Sequence, residues 1–591
     1  MNILGISCFF HDAGAALLRD GVLIAAAEEE RFTRKKHDYS FPVNAIDFCL
    51  NAGGIQGEDL SMVVFFEKPF LKFDRILRTA MQTFPRSRQV FQSSMITWLT
   101  DKLWIKGLIR HKLGVAESKI LFSDHHLSHA ASAFLCSPFT EAAIMTVDGV
   151  GEWATATYGV GRGTDVKILR EIRFPHSLGL LYSAFTAYLG FEVNEGEYKV
   201  MGMAPFGQPR YIDKVWKLIR QEGDGSFSLD MSYFSFHHST HSTYNPKFVE
   251  LFGPERDPRA HFFTPTSGYP AYFGPKPTDY DGLARQNQHY ADIAASIQKV
   301  TEEVLLGMAT HLQRATGLKN LCFAGGVALN SVANGRLLRE TPFEELFIQP
   351  AAGDGGGALG AALYGYHMVL GKPREFVMRH AYWGQEHSPA DVDTFLRTSN
   401  ISYTRFDDDD KLMARVVEHL TAGKVIGWFQ GRFELGPRAL GNRSIIADPR
   451  NPAMKDIVNT KIKFREPFRP FAPSVLTERT EEFFNLPNPA RHYPARYMLY
   501  VVDVNPGKDQ QIPAVTHVDG TARLQTVDHE TAPRYYRLIH SFGDATGVPV
   551  LLNTSFNLRG EPIVNTPEEA FNTFSRCGMD VLVLGQHVIE K

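Results

Sequence analysis

The chain has 591 residues, of which 44% are hydrophobic and 21% are charged, and its net charge is −3 at pH 7. This length predicts two to four domains, and the near-neutral charge gives no support for extensive nucleic-acid binding. No apolar run approaches the roughly 20 residues that span a bilayer, and the first residues lack a basic leader. Five scattered cysteines, with no Cys-x-x-Cys pair, exclude a cysteine-based zinc site and favour a reducing compartment. We therefore expect a cytoplasmic protein without nucleic-acid or membrane partners.

Two similar series of elements are predicted in the first part of the chain. The first series comprises three strands, a helix, a strand and a helix: 3–7, 15–18, 22–27, 42–52, 119–122 and 127–135. The second series begins with three strands: 143–147, 155–159 and 166–172. Each series starts with a strand, a turn and two further strands, which predicts a duplicated α/β core with a cleft between its halves.

Residues 220–285 differ from their surroundings. They are rich in Phe, Tyr, His, Pro and Ser and show little periodicity, which predicts an irregular insertion that serves as a lid or faces substrate. A long amphipathic helix at 290–312 follows, and then two strand–glycine–helix units, 320–338 and 346–370. Periodicity lapses at 371–383, so we predict one domain over 1–372 and a second α/β domain over 373–591.

A local cluster of cations lies in residues 423–471. Its members flank the turns Gly436-Pro437 and Gly441-Asn442: Arg432, Arg438, Arg443, Arg450, Lys461, Lys463, Arg465 and Arg469. Arginine suits bidentate phosphate recognition, and lysine adds a point charge. Because the whole chain is slightly acidic, this cluster predicts a bound small anion, such as a nucleotide or an acyl phosphate. A solvated basic face is the alternative.

A second constellation has the residue types of a metal site. His125 and His129 lie four residues apart in a predicted helix and share one face, a common chelating pair. Asp148 and Asp354 each follow a predicted buried strand, where side chains point into a cleft. Two histidines and two carboxylates suit Fe, Mn or Zn, whereas the glutamate of the zinc-protease motif is missing. The run His237-His238-x-x-His241 is a rival cluster, which we interpret as a solvated loop.

At this point the sequence resembles the O-carbamoyltransferases, which include the tobramycin, cephamycin, ansamycin and nodulation-factor carbamoyltransferases. The motifs run from residue 3 to about residue 567: GISCFFHDAGAALLRDG, EEERFTRKKHDYSFP, DHHLSHAASAF, VDGVGEW, EYKVMGMAPFG, FAGGVALN, QPAAGDGGGALGAAL, GRFELGPRALGNRSIIADPR and LLNTSFNLRGEPIV. Their combination is far more specific than any single motif.

The resemblance implies an N-terminal domain of the actin/Hsp70/sugar-kinase type (Kae1-like) and a C-terminal α/β domain of the YrdC-like type. It also implies two reactions. In the C-terminal domain, carbamoyl phosphate and ATP, with its Mg²⁺, give carbamoyl-adenylate with release of phosphate and pyrophosphate. In the N-terminal domain, the carbamoyl group passes to a hydroxyl of a small natural-product acceptor, and AMP is released. A homodimer is one option for the assembly.

The resemblance also implies site residues. Carbamoyl phosphate and the nucleotide phosphates would be bound by six residues of the second domain: Arg438, Arg443, Lys463, Arg469, Ser555 and Asn557. Nucleotide contacts in the transfer site would come from Gly325, Gly326 and Asn330. A divalent ion, Fe²⁺ in the family, would be held by His125, His129, Asp148 and Asp354. Catalytic roles in the same cleft would fall to His11, Asp12 and Lys36, with His11 or Asp12 as the base. The alternative for Lys36 is a solvated turn within the basic run 31–36.

Three other functions share parts of this pattern. Threonylcarbamoyl-adenylate-dependent tRNA modification uses the same two domain types, but the composition offers no tRNA-sized basic surface. Hydrogenase-maturation carbamoyltransferases carry an acylphosphatase domain and paired Cys-x-x-Cys motifs, which this sequence lacks. A chaperone or sugar kinase would leave the second domain and the two histidines with two aspartates unexplained.

Overall fold

The computed structural model describes residues 1–100 and 102–591. The described chain divides into two compact units. The first unit comprises residues 1–25 and 39–377, and the second comprises residues 26–38 and 378–591. No described helix combines the length and the apolar character that crossing a membrane requires.

The first half of the first unit is built on a five-stranded sheet. Its strands are β1 (Asn2–Ser7), β2 (Gly14–Arg19), β3 (Val22–Glu28), β4 (Leu60–Phe65) and β5 (Ile120–Phe122). They lie in the order β3-β2-β1-β4-β5, with β1 antiparallel to β2 and parallel to β4. Strands β1 and β2 are almost wholly buried, as expected for a sheet covered on both faces.

The second half repeats this order. Its strands are β6 (Glu141–Val147), β7 (Ala154–Arg162), β8 (Asp165–Arg173), β9 (Ile219–Gln221), β10 (Phe227–Leu229), β11 (Asn320–Ala324) and β12 (Glu345–Phe347). Five of them form a sheet in the order β12-β11-β6-β7-β8, and β9 pairs with β10 in a separate hairpin. Strand β6 is antiparallel to β7 and parallel to β11, which matches the relations of β1 to β2 and β4. The duplicated α/β core predicted from the sequence is confirmed by this equivalence.

Helices surround and connect the two sheets of the first unit. They are α2 (Val43–Gly53), α3 (Pro69–Thr83), α4 (Arg88–Thr100), α5 (Ile105–Leu113), α6 (His125–Phe134), α7 (Leu178–Tyr188), α8 (Glu197–Met203), α9 (Ile212–Val215), α10 (Pro246–Phe252), α11 (Tyr280–Thr316), α12 (Ser331–Glu340) and α13 (Gly357–Leu363); α1 (Glu30–Thr33) belongs to the second unit. Helix α13 packs closely on α6, since a Cβ on Gly360 would lie 1.8 Å from the Ser128 carbonyl oxygen. The predicted irregular insertion contains β9, β10, α10 and two short 3-10 turns between stretches without regular structure. It also includes the first residues of α11, which begins at Tyr280, ten residues before the predicted start of this helix.

The second unit contains a mixed sheet of nine strands. These are β13 (Thr404–Arg405), β14 (Ile426–Phe429), β15 (Arg443–Ala447), β16 (Ala472–Leu476), β17 (Tyr500–Asp503), β18 (Thr521–Val527), β19 (Val550–Ser555), β20 (Val581–Leu584) and β21 (His587–Glu590). Their order is β13-β21-β20-β14-β15-β19-β16-β18-β17. The helices of this unit are α14 (Pro389–Thr398), α15 (Asp409–Thr421), α16 (Met454–Ile457), α17 (Thr480–Phe483), α18 (Pro533–Thr546) and α19 (Pro567–Ser575). The α/β class predicted from the sequence is confirmed.

Residues 26–38 build the turn that precedes Arg438. The Glu28 carboxylate accepts a hydrogen bond from the Gly436 N–H (2.7 Å), and Arg31 Nη2 donates to the Gly436 carbonyl (2.6 Å). Gly436 has φ +98°, a conformation that favours glycine. Three residues further along the segment, Arg34 donates to the carbonyls of Pro562 and Ile563. A short piece of N-terminal sequence is therefore an integral part of the second unit.

Candidate functional sites

Helix α6 presents two histidines on one face. His125 and His129 are buried, and their Nε2 atoms lie 3.1 Å apart. The helix begins directly after Asp124, and the first N–H of the helix, that of His125, donates to the Glu152 carboxylate at 3.0 Å. This carboxylate, from the VDGVGEW motif, caps the helix from a distant loop. It fixes the end of the helix from which both histidines project.

Two carboxylates meet these histidines. Asp148 follows β6 and Asp354 follows β12, at corresponding edges of parallel strands of one sheet. From His125 Nε2, Asp148 Oδ2 lies at 3.1 Å and Asp354 Oδ1 at 3.5 Å. From His129 Nε2, the same oxygens lie at 3.6 and 3.3 Å. The structure thus brings together all four residues that the sequence assigned to a metal.

The geometry of these four side chains fits a metal ion. One ligand atom from each lies within 4.8 Å of the others, and Asp354 Oδ1 is buried without a hydrogen-bond partner. A tetrahedral ion with bonds of about 2.0–2.2 Å separates its ligand atoms by roughly 3.3–3.6 Å, close to the distances observed here. Two imidazoles and two carboxylates are a borderline-hard donor set that suits Fe, Mn or Zn.

Electrostatics at the cluster favour a cation. Burial disfavours charge on His125, but the carboxylates of Asp354 and Asp148 outweigh burial and raise its pKa well above the usual value. Burial likewise opposes the charge of Asp148, yet the two imidazoles hold its pKa well below the usual value.

His126 points away from the cluster, to Thr146 Oγ1 and the Ala154 carbonyl, and burial lowers its pKa well below 6.5. His126 is therefore a core residue.

Sequence reasoning did not identify the groups behind the cluster. Glu67 and Lys72 are buried and form an ion pair at 2.7 Å, and Glu67 Oε2 lies 3.9 Å from His125 Nδ1. Despite burial, Lys72 and His125 lower the pKa of Glu67 to about 2. Glu67 lies two residues after the end of β4, much as Asp148 follows the end of β6, so its position after a buried strand was a usable signal.

The glycine turn after β11 contributes to the same site. Gly326 N–H donates to Asp148 Oδ1 at 2.9 Å, and Gly325, at φ +93°, lies against the main chain of Val147. Asn330 caps α12 by accepting from the Ala333 N–H, and its amide also exchanges hydrogen bonds with Gln298. The two glycines therefore border the metal cluster, while Asn330 shapes the next helix.

His11 and Asp12 form a pair in the first unit, with His11 Nδ1 at 3.6 Å from Asp12 Oδ2. Burial opposes the charge on His11, but Asp12 outweighs it, and the pKa rises to about 10. At neutral pH His11 thus carries its proton. Lys36, predicted to act with them, belongs to residues 26–38, the N-terminal segment of the second unit.

The run His237-His238-x-x-His241 contributes no member to a potential metal group among the described residues.

Lys463 contacts Ser555 and Asn557 in the second unit, although it precedes them by 92 and 94 residues in sequence. Lys463 is 3% exposed, and its Nζ donates to Ser555 Oγ (3.1 Å), Asn557 Oδ1 (2.7 Å) and the Asn557 carbonyl (3.0 Å). Burial, followed by the charges of Arg465 and Arg469, lowers the pKa of Lys463 well below its usual value. Lys36 adds to this repulsion.

Further cations extend this group. Arg523 on β18 is held to a lowered pKa by burial and by the charges of Arg438 and Arg469. Its Nε is buried without a hydrogen-bond partner. Arg523 is a residue that sequence reasoning missed, because it lies outside the basic stretch, in an ordinary strand. We call Lys36, Arg438, Lys463, Arg469 and Arg523 the cation cluster; mutual repulsion of this kind favours a bound anion.

Arg443 differs from the cation cluster. It is wholly buried, and its Nη1 donates to the carbonyls of Gly431 (3.1 Å) and Asn442 (3.0 Å). Its guanidinium lies 3.6 Å from the centroid of the Phe429 ring, and burial lowers its pKa to about 9. The donors of Arg443 are thus turned toward the main chain. In the same loop, the Glu434 carboxylate accepts from the N–H groups of Leu440 (2.7 Å) and Asn442 (2.9 Å).

Comparison with known proteins places this architecture in a family. Residues 2–363 match the family described as carbamoyltransferase N-terminus, and residues 417–591 match carbamoyltransferase C-terminus. The chain therefore belongs to the carbamoyltransferase family, and the resemblance found in its motifs is confirmed.

Three relatives illustrate this membership. An uncharacterized protein of Synechocystis sp., sll1178, is 47% identical over 100% of this chain and 97% of its own length. Nodulation protein NolNO of Sinorhizobium fredii is 39% identical over 99% of this chain and 79% of its own length. The 3'-hydroxymethylcephem-O-carbamoyltransferase of Streptomyces clavuligerus is 34% identical over 42% of this chain and 44% of its own length.

Proposed function

We propose that the protein is an ATP-dependent O-carbamoyltransferase that works in two steps. In the domain of residues 373–591, carbamoyl phosphate, ATP and water give carbamoyl-adenylate, phosphate and pyrophosphate. In the domain of residues 1–372, an acceptor hydroxyl oxygen attacks the carbamoyl carbon, and the bond from that carbon to the adenylate oxygen breaks. The hydroxyl proton leaves, AMP is released and an O-carbamate is formed.

The observation that carries this proposal is the cation cluster around Lys463. Burial lowers the pKa of Lys463 and Arg523, and the charges of neighbouring cations lower it further. Carbamoyl phosphate and ATP are both anionic, and binding them would relieve that repulsion. Ser555 and Asn557 already hold the Lys463 ammonium in place, so it is positioned before any ligand arrives. Lys36 joins this cluster in our assignment. Arg443 orders the loop that carries Arg438.

For the transfer step, His125, His129, Asp148 and Asp354 would hold a divalent ion. Such an ion would supply Lewis-acid polarisation of a bound phosphate. Gly325 and Gly326 border that position and would allow the nucleotide to approach the main chain. His11 is protonated at neutral pH, so it serves as a donor, and Asp12 takes the role of base toward the acceptor hydroxyl.

The acceptor class follows from the relatives. The name of the cephem carbamoyltransferase specifies an O-carbamoyl product on a hydroxymethyl group of a small molecule. We infer the same bond type here, a carbamate on a hydroxyl of a small molecule. The aromatic insertion, in which Phe263 stacks on Tyr280 at 5.4 Å, lies in the same unit as the metal cluster.

The experiment that tests the proposal is pyrophosphate release from ATP, with and without carbamoyl phosphate and without an acceptor. Release that depends on carbamoyl phosphate supports the first step. Lys463→Met should abolish it, whereas Lys461→Met, a change at an exposed neighbour, should not. Release that requires threonine and bicarbonate instead would replace the proposal with tRNA modification. Release of phosphate from ATP alone would place the protein with kinases or chaperones.

A further inference from the structure

The connection between β4 and β5 carries a feature that the duplicated fold does not require. In the second half of the first unit, the equivalent strands β11 and β12 are joined through residues 325–344, which contain the single α-helix α12. In the first half, residues 66–119 make the connection with α3, α4 and α5. We call residues 69–113 the helical insert.

Helices α3 and α4 of the helical insert pack against each other along an inner face. Helices α3 and α4 meet through Phe73 and Trp98, whose ring centroids lie 5.0 Å apart, and Trp98 is 1% exposed. Ser87 Oγ donates to the Ala80 carbonyl at 2.6 Å and ties the start of α4 to the end of α3. The side chains on its outer face are therefore held on a defined scaffold.

The exposed surface of the insert is rich in large hydrophobic side chains. Of the nineteen large hydrophobic side chains that are exposed in the described part of the chain, nine lie within residues 70–108: Phe70, Leu71, Met81, Phe84, Ile96, Leu99, Leu103, Trp104 and Leu108. Phe70, Met81 and Phe84 are each more than 70% exposed, and Trp104 is 62% exposed. Scattered exposed hydrophobic residues are ordinary, but such a concentration marks an interaction site.

The same insert is basic. Residues 69–113 contain nine Lys or Arg and two Asp, in a chain whose net charge is −3. Of these cations, Lys72 and Arg75 are buried, and four others form ion pairs with carboxylates: Arg78, Lys106, Arg110 and Lys112. Arg86 and Arg88 are exposed, two and four residues after Phe84, and Arg88 is the first residue of α4. Like charges disfavour pairing of this face with a second copy of itself, whereas an anionic surface complements it.

We propose that the helical insert docks the protein on the surface of an anionic phospholipid bilayer. Helices with Lys and Arg beside exposed Phe, Leu and Trp bind the interface between headgroups and acyl chains without crossing the bilayer. The expectation of no membrane partner rests on the lack of an apolar spanning segment and of a basic leader. A surface that binds only the membrane interface requires neither of these features.

The insert is also connected to the metal cluster. Helix α3 carries Lys72, which pairs with Glu67 behind His125, and Arg75, whose Nη1 donates to the Gly151 carbonyl at 2.8 Å. The docking surface and the candidate transfer site thus share one helix. Docking through α3 would hold that site at a fixed distance from the lipid surface.

Vesicle co-sedimentation of the full chain tests the proposal. The probes are phosphatidylcholine vesicles with and without about one third phosphatidylglycerol. We expect binding only to the anionic vesicles and weakening as salt rises. Phe84→Ser combined with Trp104→Ser, and Arg86→Glu combined with Arg88→Glu, should each lower the vesicle partition coefficient by about tenfold or more. Leu169→Ser with Val518→Ser, and Arg285→Glu with Arg314→Glu, are matched exposed controls that should bind like the original protein.

A second readout locates the contact. Vesicles with brominated acyl chains should quench tryptophan fluorescence, and Trp104→Phe should remove most of this quenching. Equal binding to neutral and anionic vesicles, or no binding to either, overturns the proposal. A change of oligomeric mass in the insert variants, without a change in vesicle binding, would assign the face to a second copy instead. Pyrophosphate release by each variant serves as the folding control. If neither the original protein nor any variant releases pyrophosphate, the result counts against the proposed function and leaves the docking proposal to the vesicle measurements.

Discussion

Arg31 and Gly436 are 405 residues apart in sequence, yet Arg31 Nη2 donates to the Gly436 carbonyl at 2.6 Å. Glu28 accepts from the N–H of the same glycine. Both polar groups of one peptide residue are thus satisfied by a segment from the start of the chain. The conformation of the Gly436-Pro437-Arg438 turn, and with it the direction of Arg438, depends on that segment.

Arg31→Met should destabilise the second unit. The buried Gly436 carbonyl would lose its charged donor, which costs about 1.5–3 kcal/mol. Carbamoyl-phosphate-dependent pyrophosphate release should fall as well, since the turn before Arg438 is no longer fixed. Thermal unfolding and the pyrophosphate assay measure the two effects. Lys35→Met, at an exposed position of the same segment, is the control. An unchanged melting temperature in Arg31→Met would show that the contact is dispensable.

Glu28 should make the stability of the second unit depend on pH. Burial raises its pKa from 4.5 to about 7, and Arg31 only partly offsets this. Because the folded pKa is the higher one, the favourable contribution is complete below about pH 4.5 and is lost as pH rises through 7. The span corresponds to about 3 kcal/mol. Glu28→Gln still accepts from Gly436 N–H and should flatten the profile between pH 5 and 8, measured by denaturant unfolding. Parallel profiles for the two proteins would contradict this assignment.

His125→Ala and His129→Ala should each abolish carbamoyl transfer and the binding of a divalent ion, while pyrophosphate release in the second unit continues. The ligands lie in the first unit, so adenylate formation does not need them. Metal content by mass spectrometry, product analysis and the pyrophosphate assay separate the effects. His238→Ala, from the rival histidine run, should change none of them. Loss of pyrophosphate release in both histidine variants would refute the assignment of adenylate formation and carbamoyl transfer to separate units.

Arg443→Ala and Arg523→Ala should both reduce pyrophosphate release, but for different reasons. Arg443 supports main-chain carbonyls in a buried loop, so its loss should destabilise the ligand-free protein by about 1–3 kcal/mol for each carbonyl left unsatisfied. Arg523 repels Arg438 and Arg469, so its loss should leave the ligand-free melting temperature equal or higher.

The two variants are compared by thermal unfolding with and without carbamoyl phosphate. Arg523→Ala should lose the stabilisation that the ligand gives, whereas Arg443→Lys should recover part of the lost stability. Equal melting temperatures for Arg443→Ala and the original protein would show that the Arg443 contacts contribute little. A lower ligand-free melting temperature in Arg523→Ala would contradict the role of repulsion.

Local patterns were sufficient for the elements that position the metal cluster. The alternation of β1, β2 and β3 and its repetition in β6, β7 and β8 predicted the duplicated sheets. His125 and His129 share a helix face because their spacing is local. Asp148 and Asp354 were placed at strand ends, and parallel strands bring their carboxyl ends to one edge.

Long-range contacts were not predictable in this way. The strand that contains Arg523 has no second basic residue, and the cations that act on Arg523, Arg438 and Arg469, come from distant parts of the sequence. Glu152 likewise caps α6 from another loop. No element was predicted at 69–113, where the chain carries no motif, although the amphipathic pattern of α3 was a usable signal. Arg31 belongs to a basic run, and nothing in that run indicates that Arg31 packs against Gly436 of the second unit.

The sharing of residues 26–38 also has a consequence for synthesis of the chain. The ribosome makes Glu28, Arg31 and Arg34 between 405 and 529 residues before their partners at Gly436, Pro562 and Ile563. Until then the segment has no complete binding site for its charged side chains. The second unit therefore reaches its native form only after residues 378–591 have been translated, and a gene fragment that encodes those residues alone would need this peptide supplied in trans.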